Sequence, residues 1–287
     1  MALAPPPAVG LDAFPFHVHW DVLGLVVALA VGYFYGIRVL SRNHAPESEP
    51  PVTRRQLLWF VGGLSLFFVV ESWPIHDIGE KSLFTFHMIE HLALALLIPP
   101  ALLKGTPSWL LRLVVKPILP LVRLVTRPVI AIVFFNAVLA MIHVPAVLEA
   151  MLGSEIVHFV FHLLLLVSAA IMWWPVIGPI PETPKLRPEQ AMGYLFLQSL
   201  VPTIPASFLT FAEDVVYKAY EGTPRLWGFD VLTDQLVAGL LMKIGGGIVL
   251  WTAITVIFFK WAADEERSGL TRTGATRSPQ SSVISPQ

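Results

Sequence analysis

The chain contains no cysteine. Disulfides, thiolate metal sites and iron–sulfur clusters are therefore excluded, and any metal must be held by His, Met or carboxylate. Charge is also scarce. Charged residues make up 14% of the 287 residues, where a soluble domain carries about 25%. The net charge is −1, and no basic patch with interleaved aromatics points to nucleic acid. No nucleotide-binding loop, nucleophile elbow or H-E-x-x-H motif occurs. The opening "MALAPPPAVGLDAFPFHVHW" has no basic region before its apolar stretch. No cleavable signal peptide is expected.

Apolar residues are abundant instead, at 55%, and the mean hydropathy is +0.69. Seven stretches are long and apolar enough to span a bilayer, near 21–40, 57–74, 82–102, 128–147, 154–175, 191–211 and 233–259. The expected fold is all-α: a multi-pass bundle of seven transmembrane helices. Pro99-Pro100 should shorten the third helix, and Pro202 and Pro205 should kink the sixth. Gly245–Gly247 allow close contact on the seventh. Fifteen of the nineteen Lys and Arg residues fall on one side of these spans, and three fall on the other. The positive-inside rule then puts the N-terminus outside and the C-terminus in the cytoplasm.

Residues 1–20 read as an extracytoplasmic segment, 21–262 as the membrane domain and 263–287 as a disordered cytoplasmic tail. Trp20, Trp59, Trp73, Trp173, Trp174 and Trp261 fall at predicted membrane boundaries, as anchors. The stretch 108–127 reads as amphipathic and lying on lipid.

Of nine histidines, all but His44 fall in the outer half or outside. His87/His91 on the third span and His158/His162 on the fifth are both i,i+4 pairs. Each pair stacks on one helix face. At 1.5 Å per residue both pairs lie about 7 and 13 Å below the outer surface. Two facing pairs could supply four imidazoles to one metal. His143 and Met242 share that slab as further candidate ligands, with Asn136 as the alternative partner of His143. Asp234 reads as the N-cap of the seventh helix or as a further ligand. Glu90 could accept the other N–H of an imidazole, or pair with Lys243 at similar depth. His76 lies near the outer mouth and could receive an ion there. His17 and His19 read as solvated loop residues, with surface capture of the ion alongside His76 as the alternative. Imidazole with Met suits copper; imidazole alone also suits zinc or haem iron.

Three pieces then resemble one family in order. "SWPIHDIGEKSLFTFHMIEHLALALLIPPALLKGTP" (72–107) holds an HM..H helix, a proline pair and G-x-P. "HFVFHLLLLVSAAIMWWPVIGPIP" (158–181) holds H-x3-H and W-W-P. "DQLVAGLLM" (234–242) holds D-Q…G…M. The chain resembles the CtaG-type assembly factors of caa-type cytochrome c oxidase over most of residues 20–260. The matching positions include Met88, Trp174, Pro175, Gln235 and Gly239 beside the candidate ligands. Lys243-Ile244-Gly245 departs from the Trp and Pro-Gly usual after the last Met. The resemblance implies a bacterial plasma-membrane protein that binds oxidase subunits and supports their copper centre. A haem-binding redox or haem-modifying protein, and an ion-coupled transporter using Glu90 and Lys243, are the alternatives.

Overall fold

The computed structural model describes residues 8–275. Among these the chain is helical almost throughout. One parallel pair of two-residue strands, β1 (Ala8–Val9) and β2 (Arg225–Leu226), joins the N-terminal segment to a late loop. The helices are α1 (Trp20–His44), α2 (Arg54–Val70), α3 (Ile75–Lys81), α4 (Phe84–Gly105) and α5 (Ser108–Val125). They continue with α6 (Pro128–Ile142), α7 (Pro145–Leu152), α8 (Glu155–Ile177), α9 (Pro188–Thr210) and α10 (Val231–Ser268). The backbone of α10 stays helical to Ala275, into the segment expected to be disordered. The rest of that tail, 276–287, lies outside the described residues.

Among the described residues, five helices (α1, α4, α8, α9 and α10) are long and apolar enough to cross a membrane. The number reaches seven if two bent pairs, α2 with α3 at 41° and α5 with α6 at 87°, each count as one span. The expected second and fourth spans overran their helices for a local reason. A proline cannot continue a helical ladder. Pro74 follows the end of α2, and Pro145 starts α7 just after α6 ends. The 87° bend turns α5 across the axis of α6, as an interfacial helix would lie.

The sequence signals explain most boundaries. Thr53 and Gln56 cap the start of α2 reciprocally. Ser154 caps α8, and Gly178, at φ +58°, ends it in the left-handed conformation that favours glycine. Pro202 interrupts α9, as expected. Pro99-Pro100 does not shorten α4, which runs on to Gly105. A π turn at Ala93–Leu97 precedes the prolines. Pro99 has no N–H to give the carbonyl of Ala95, four residues back. The Trp173 indole N–H on α8 donates to that carbonyl instead, at 3.0 Å. The orphaned acceptor thus becomes a tie between the two helices that carry the histidine pairs.

The helix α4 is the most enclosed of the five spans. Two thirds of its apolar window (67%) is buried, against 17% for α1 and α10. Leu94, Ile98, Leu165, Ala169 and Met172 are buried where α4 and α8 meet. Many other large apolar side chains, Val129, Ile156 and Phe208 among them, face outward. Lipid suits such a surface better than water does.

The start of α4 is held from a distance. Asp234 on α10 accepts from the backbone N–H of Phe84 (2.8 Å) and Thr85 (2.9 Å). It also pairs with Arg225 at 2.8 Å. Arg225 in turn donates to the carbonyls of Ser82 and Phe229. The expectation that Asp234 caps its own helix is therefore corrected: Asp230 does that, accepting from Thr233 N–H at 3.0 Å. Those amides hold the Asp230 carboxyl below the usual range. The next residue, Gln235, clamps the loop before α10 by three bonds to Val216 and Tyr217. Gly239 lets α10 approach α9, since a Cβ there would sit 2.8 Å from Thr210 Oγ1.

Asp234→Ala would leave the buried Arg225 guanidinium unpaired and two amides of α4 uncapped. The expected cost is about 3–5 kcal/mol, against about 1 kcal/mol for Asp230→Ala at an exposed cap. Unfolding midpoints of the two variants in detergent check the difference. Equal losses would mean that Asp234 does not anchor α4.

Candidate metal centre

The two i,i+4 pairs face each other. His87 and His91 on α4 and His158 and His162 on α8 are all buried. His162 Nε2 lies 2.9 Å from His158 Nε2 and 3.2 Å from His91 Nε2. The His87 ring centroid lies 4.2 Å from that of His91, 5.3 Å from His158 and 5.5 Å from His162.

Two carboxylates orient this cluster, and neither stood among the expected site residues. Glu71, at the end of α2, faces His162 Nδ1 at 2.9 Å. Glu80, on α3, faces His158 Nδ1 at 3.4 Å. A neutral imidazole has one N–H and one lone pair. With each Nδ1–H directed to a carboxylate, the Nε2 atoms of His158 and His162 carry lone pairs. These lone pairs point at one another, and His91 Nε2 stands 3.2 Å from that of His162. Two acceptors at 2.9 Å make no hydrogen bond; they need a proton or a cation between them.

His87 is less satisfied still. It is fully buried and neither ring nitrogen has a hydrogen-bond partner. His91 Nδ1 and both oxygens of Glu90 are also buried without one. Buried polar groups are nearly always paired, and each exception asks for a reason such as an ion. Two donor sets have atoms within 4.8 Å of one another: His87, His91 and His162; and His76, Glu90, His158 and His162. Ligands about 2 Å from an ion stand roughly 3–4 Å apart, which the Nε2 spacings approach. The residues present thus fit an imidazole-held metal.

The short helix α3 covers the cluster at its histidine-bearing end. Gly79 permits this: a Cβ there would lie 2.9 Å from His87 N and 3.3 Å from Glu90 Oε2. The Tyr220 hydroxyl donates to the Gly79 carbonyl at 2.7 Å and holds α3 down. From α3, His76 Nδ1 stands 3.3 Å from Glu90 Oε1, without hydrogen-bond alignment.

Other expected participants stand apart. Asp234 has both oxygens engaged at the start of α4 and belongs to neither donor set. His143 follows the last residue of α6, with Nδ1 2.7 Å from the carbonyl of Leu139 and Nε2 buried without a partner. Asn136 does not meet it and bonds Gln198 of α9 instead. The His143 ring is 6.2 Å from that of His91, and both line a small cavity of about 50 Å³ with Met88, Met242 and Lys243. Lys243 does not pair with Glu90; its ammonium lies over the Phe211 ring at 5.6 Å. A π turn at Leu241–Gly245 places one extra residue in that turn and shifts Lys243 off the regular helix face. His17 and His19, expected to be solvated, both contact Asp77. The signal for the missed acids was the density of "ESWPIHDIGE" (71–80), three carboxylates beside a histidine just past a span.

A family described as cytochrome c oxidase caa3 assembly factor matches residues 31–264. Uncharacterized proteins of Mycobacterium bovis and Mycobacterium tuberculosis are each 23% identical to the chain over 273 residues. The match covers 84% of this chain but only 38% of each relative, so the chain spans well under half their length. No solved structure matches.

The close seating of α3 on α4 is open to test. Gly79→Ala should cost about 1–3 kcal/mol by overpacking, read as a lowered unfolding midpoint in detergent. An unchanged midpoint would show that α3 does not sit against the His87 backbone.

Proposed function

The chain belongs to the cytochrome c oxidase caa3 assembly factor family, and from that premise we propose that it holds copper while a copper centre of the oxidase is built. The observation that carries this reading is the meeting of the His158 and His162 Nε2 lone pairs, with His91 Nε2 3.2 Å from that of His162, beside a buried His87 with no partner of its own. A cation relieves the repulsion among the lone pairs and satisfies the orphaned nitrogens. Without thiolates, an imidazole set suits copper, and Met88 and Met242 lie near His91 for a softer hold.

The role is binding and transfer, so the protein is not an enzyme. Glu71 and Glu80 keep the rings in the ligating tautomer and orientation, and their negative charge favours a bound cation. The protein sits in the bacterial plasma membrane as a multi-pass bundle, with the histidine end outside and partner oxidase subunits meeting it there. Lysine and arginine asymmetry supports that orientation.

Haem is the weaker reading. The four imidazoles sit tilted and edge-on against one another, with ring centroids 4.2 Å apart on α4 and 4.3 Å apart on α8, which leaves little room for a porphyrin between them. An ion-coupled transporter needs a polar path onward. Where α4 and α8 meet beyond the cluster, Leu94, Ile98, Leu165, Ala169 and Met172 are apolar and the buried Ser168 hydroxyl is spent on the Leu165 carbonyl, so no such path continues between them.

Purified protein should retain copper, and His87→Ala/His91→Ala should lose the share held by the buried cluster, by atomic absorption after dialysis against matched free copper. Equal copper in both, or a Soret band with no copper, would overturn the reading. Separately, Glu71→Gln should weaken copper binding by about 10–100-fold without abolishing it, as measured by competition with a chelator.

A further inference from the structure

We infer that His17, His19 and Asp77 form a second, separate site at the mouth of the protein, where a divalent cation such as Cu(II) binds before it passes by way of His76 to the buried imidazoles. This rests on the copper reading of the buried cluster and adds the route by which the ion arrives.

The geometry begins in the sequence H-x-H. His17 and His19 lie on an irregular segment before α1, where His19 has extended dihedrals. In extended chain, residues i and i+2 project to one side. Both rings therefore meet Asp77: His17 Nδ1 is 3.3 Å from Oδ1, and His19 Nε2 is 3.0 Å from Oδ2. The three donors lie within 4.8 Å of one another. Asp77 is buried, while His17 is part-exposed and open to solvent. Two imidazoles with one carboxylate suit Cu(II) or zinc, and no thioether is present to select Cu(I). Lys81 Nζ stands 2.8 Å from Asp77 Oδ1. It neutralises the carboxylate when no ion is held. Its side chain is about half exposed (49%), so it can swing to solvent when one arrives.

A second observation links this triad to the interior. A cavity of about 330 Å³ is lined by His17, His19, His76 and His162 together with Glu71 and Glu80. Along it the imidazoles form an unbroken series. Ring centroids are 4.2 Å apart from His17 to His19, 4.8 Å from His19 to His76, 4.9 Å from His76 to His158 and 4.3 Å from His158 to His162. His76 Nδ1 is buried without a hydrogen-bond partner midway along this series. Each step is short enough for one ligand to be gained before another is lost. The ion keeps its charge throughout, so no reductant is needed. Acidic walls concentrate cations at such a mouth and raise their rate of arrival.

The test titrates the purified full-length protein in detergent with Cu(II) alone, reading copper content and the electron paramagnetic resonance spectrum. His17→Gln/His19→Gln should lose one equivalent of copper and fill the buried cluster about tenfold more slowly, the low end of electrostatic focusing, while the cluster's final occupancy is kept. Neither side chain makes a capping bond to α1, and kept final occupancy of the buried cluster reports that the bundle is intact. Asp77→Asn should remove the same equivalent. His87→Ala/His91→Ala should keep it. If His17→Gln/His19→Gln changes neither stoichiometry nor loading rate, while His87→Ala/His91→Ala abolishes binding, the outer site is overturned and the buried-cluster reading stands. If copper is lost only from the outer variants, the outer site stands and the buried-cluster reading falls.

Discussion

The contact on which the centre depends is between His162 Nδ1 and Glu71, at 2.9 Å. It fixes which nitrogen carries the proton, and so it aims the remaining lone pair inward, where His158 aims its own. Helix geometry alone would bring the rings close but would leave them free to flip. A carboxylate behind His158 and another behind His162 convert two of the four neighbouring histidines into ordered donors, because an imidazole can ligate only through the nitrogen that has no proton. Burial strengthens the arrangement: the orphaned nitrogens are shielded from bulk solvent and have no protein partner, so the interior favours a cation.

That contact exists only because elements outside the spans are held in place. Glu71 follows the end of α2, and Glu80 lies on α3. Gly79 lets α3 rest on α4, and Tyr220 ties it down. Arg225 and Asp234 then clamp the loop before α10 to the start of α4. Sequence-distant residues thus serve one purpose: to cap the histidine end of a bundle with a polar layer. The D-Q pair owes its place to this clamp, Asp234 through α4 and Gln235 through the loop, rather than to any contact with the donor set.

Much of this was legible and some was not. The i,i+4 histidine pairs stood out because a helix repeats every 3.6 residues, and their matched depths followed from the rise per residue. Glu71, Asp77 and Glu80 were missed since they lie at a chain reversal with no periodicity to announce a face. The pairing of Glu90 with Lys243 failed because similar depth does not set the angle about a helix axis, and a π turn alters that angle. His143 and Asn136 were matched by spacing on a helix that ends before His143. Two spans were drawn too long because hydropathy continues through Pro74 and Pro145, whereas a helix does not.

By itself the sequence determined an all-helical chain with helices apolar enough for a bilayer, no thiolate chemistry, and two histidine pairs each confined to one helix face. These are local consequences of composition and of backbone period. The tertiary structure decided that the two faces meet, which carboxylates stand behind the rings, and that Asp234 anchors a helix instead of joining the donors. Those outcomes depend on rotation about helix axes and on where broken helices turn back. Both are set by packing between residues far apart in the chain, which no local pattern encodes.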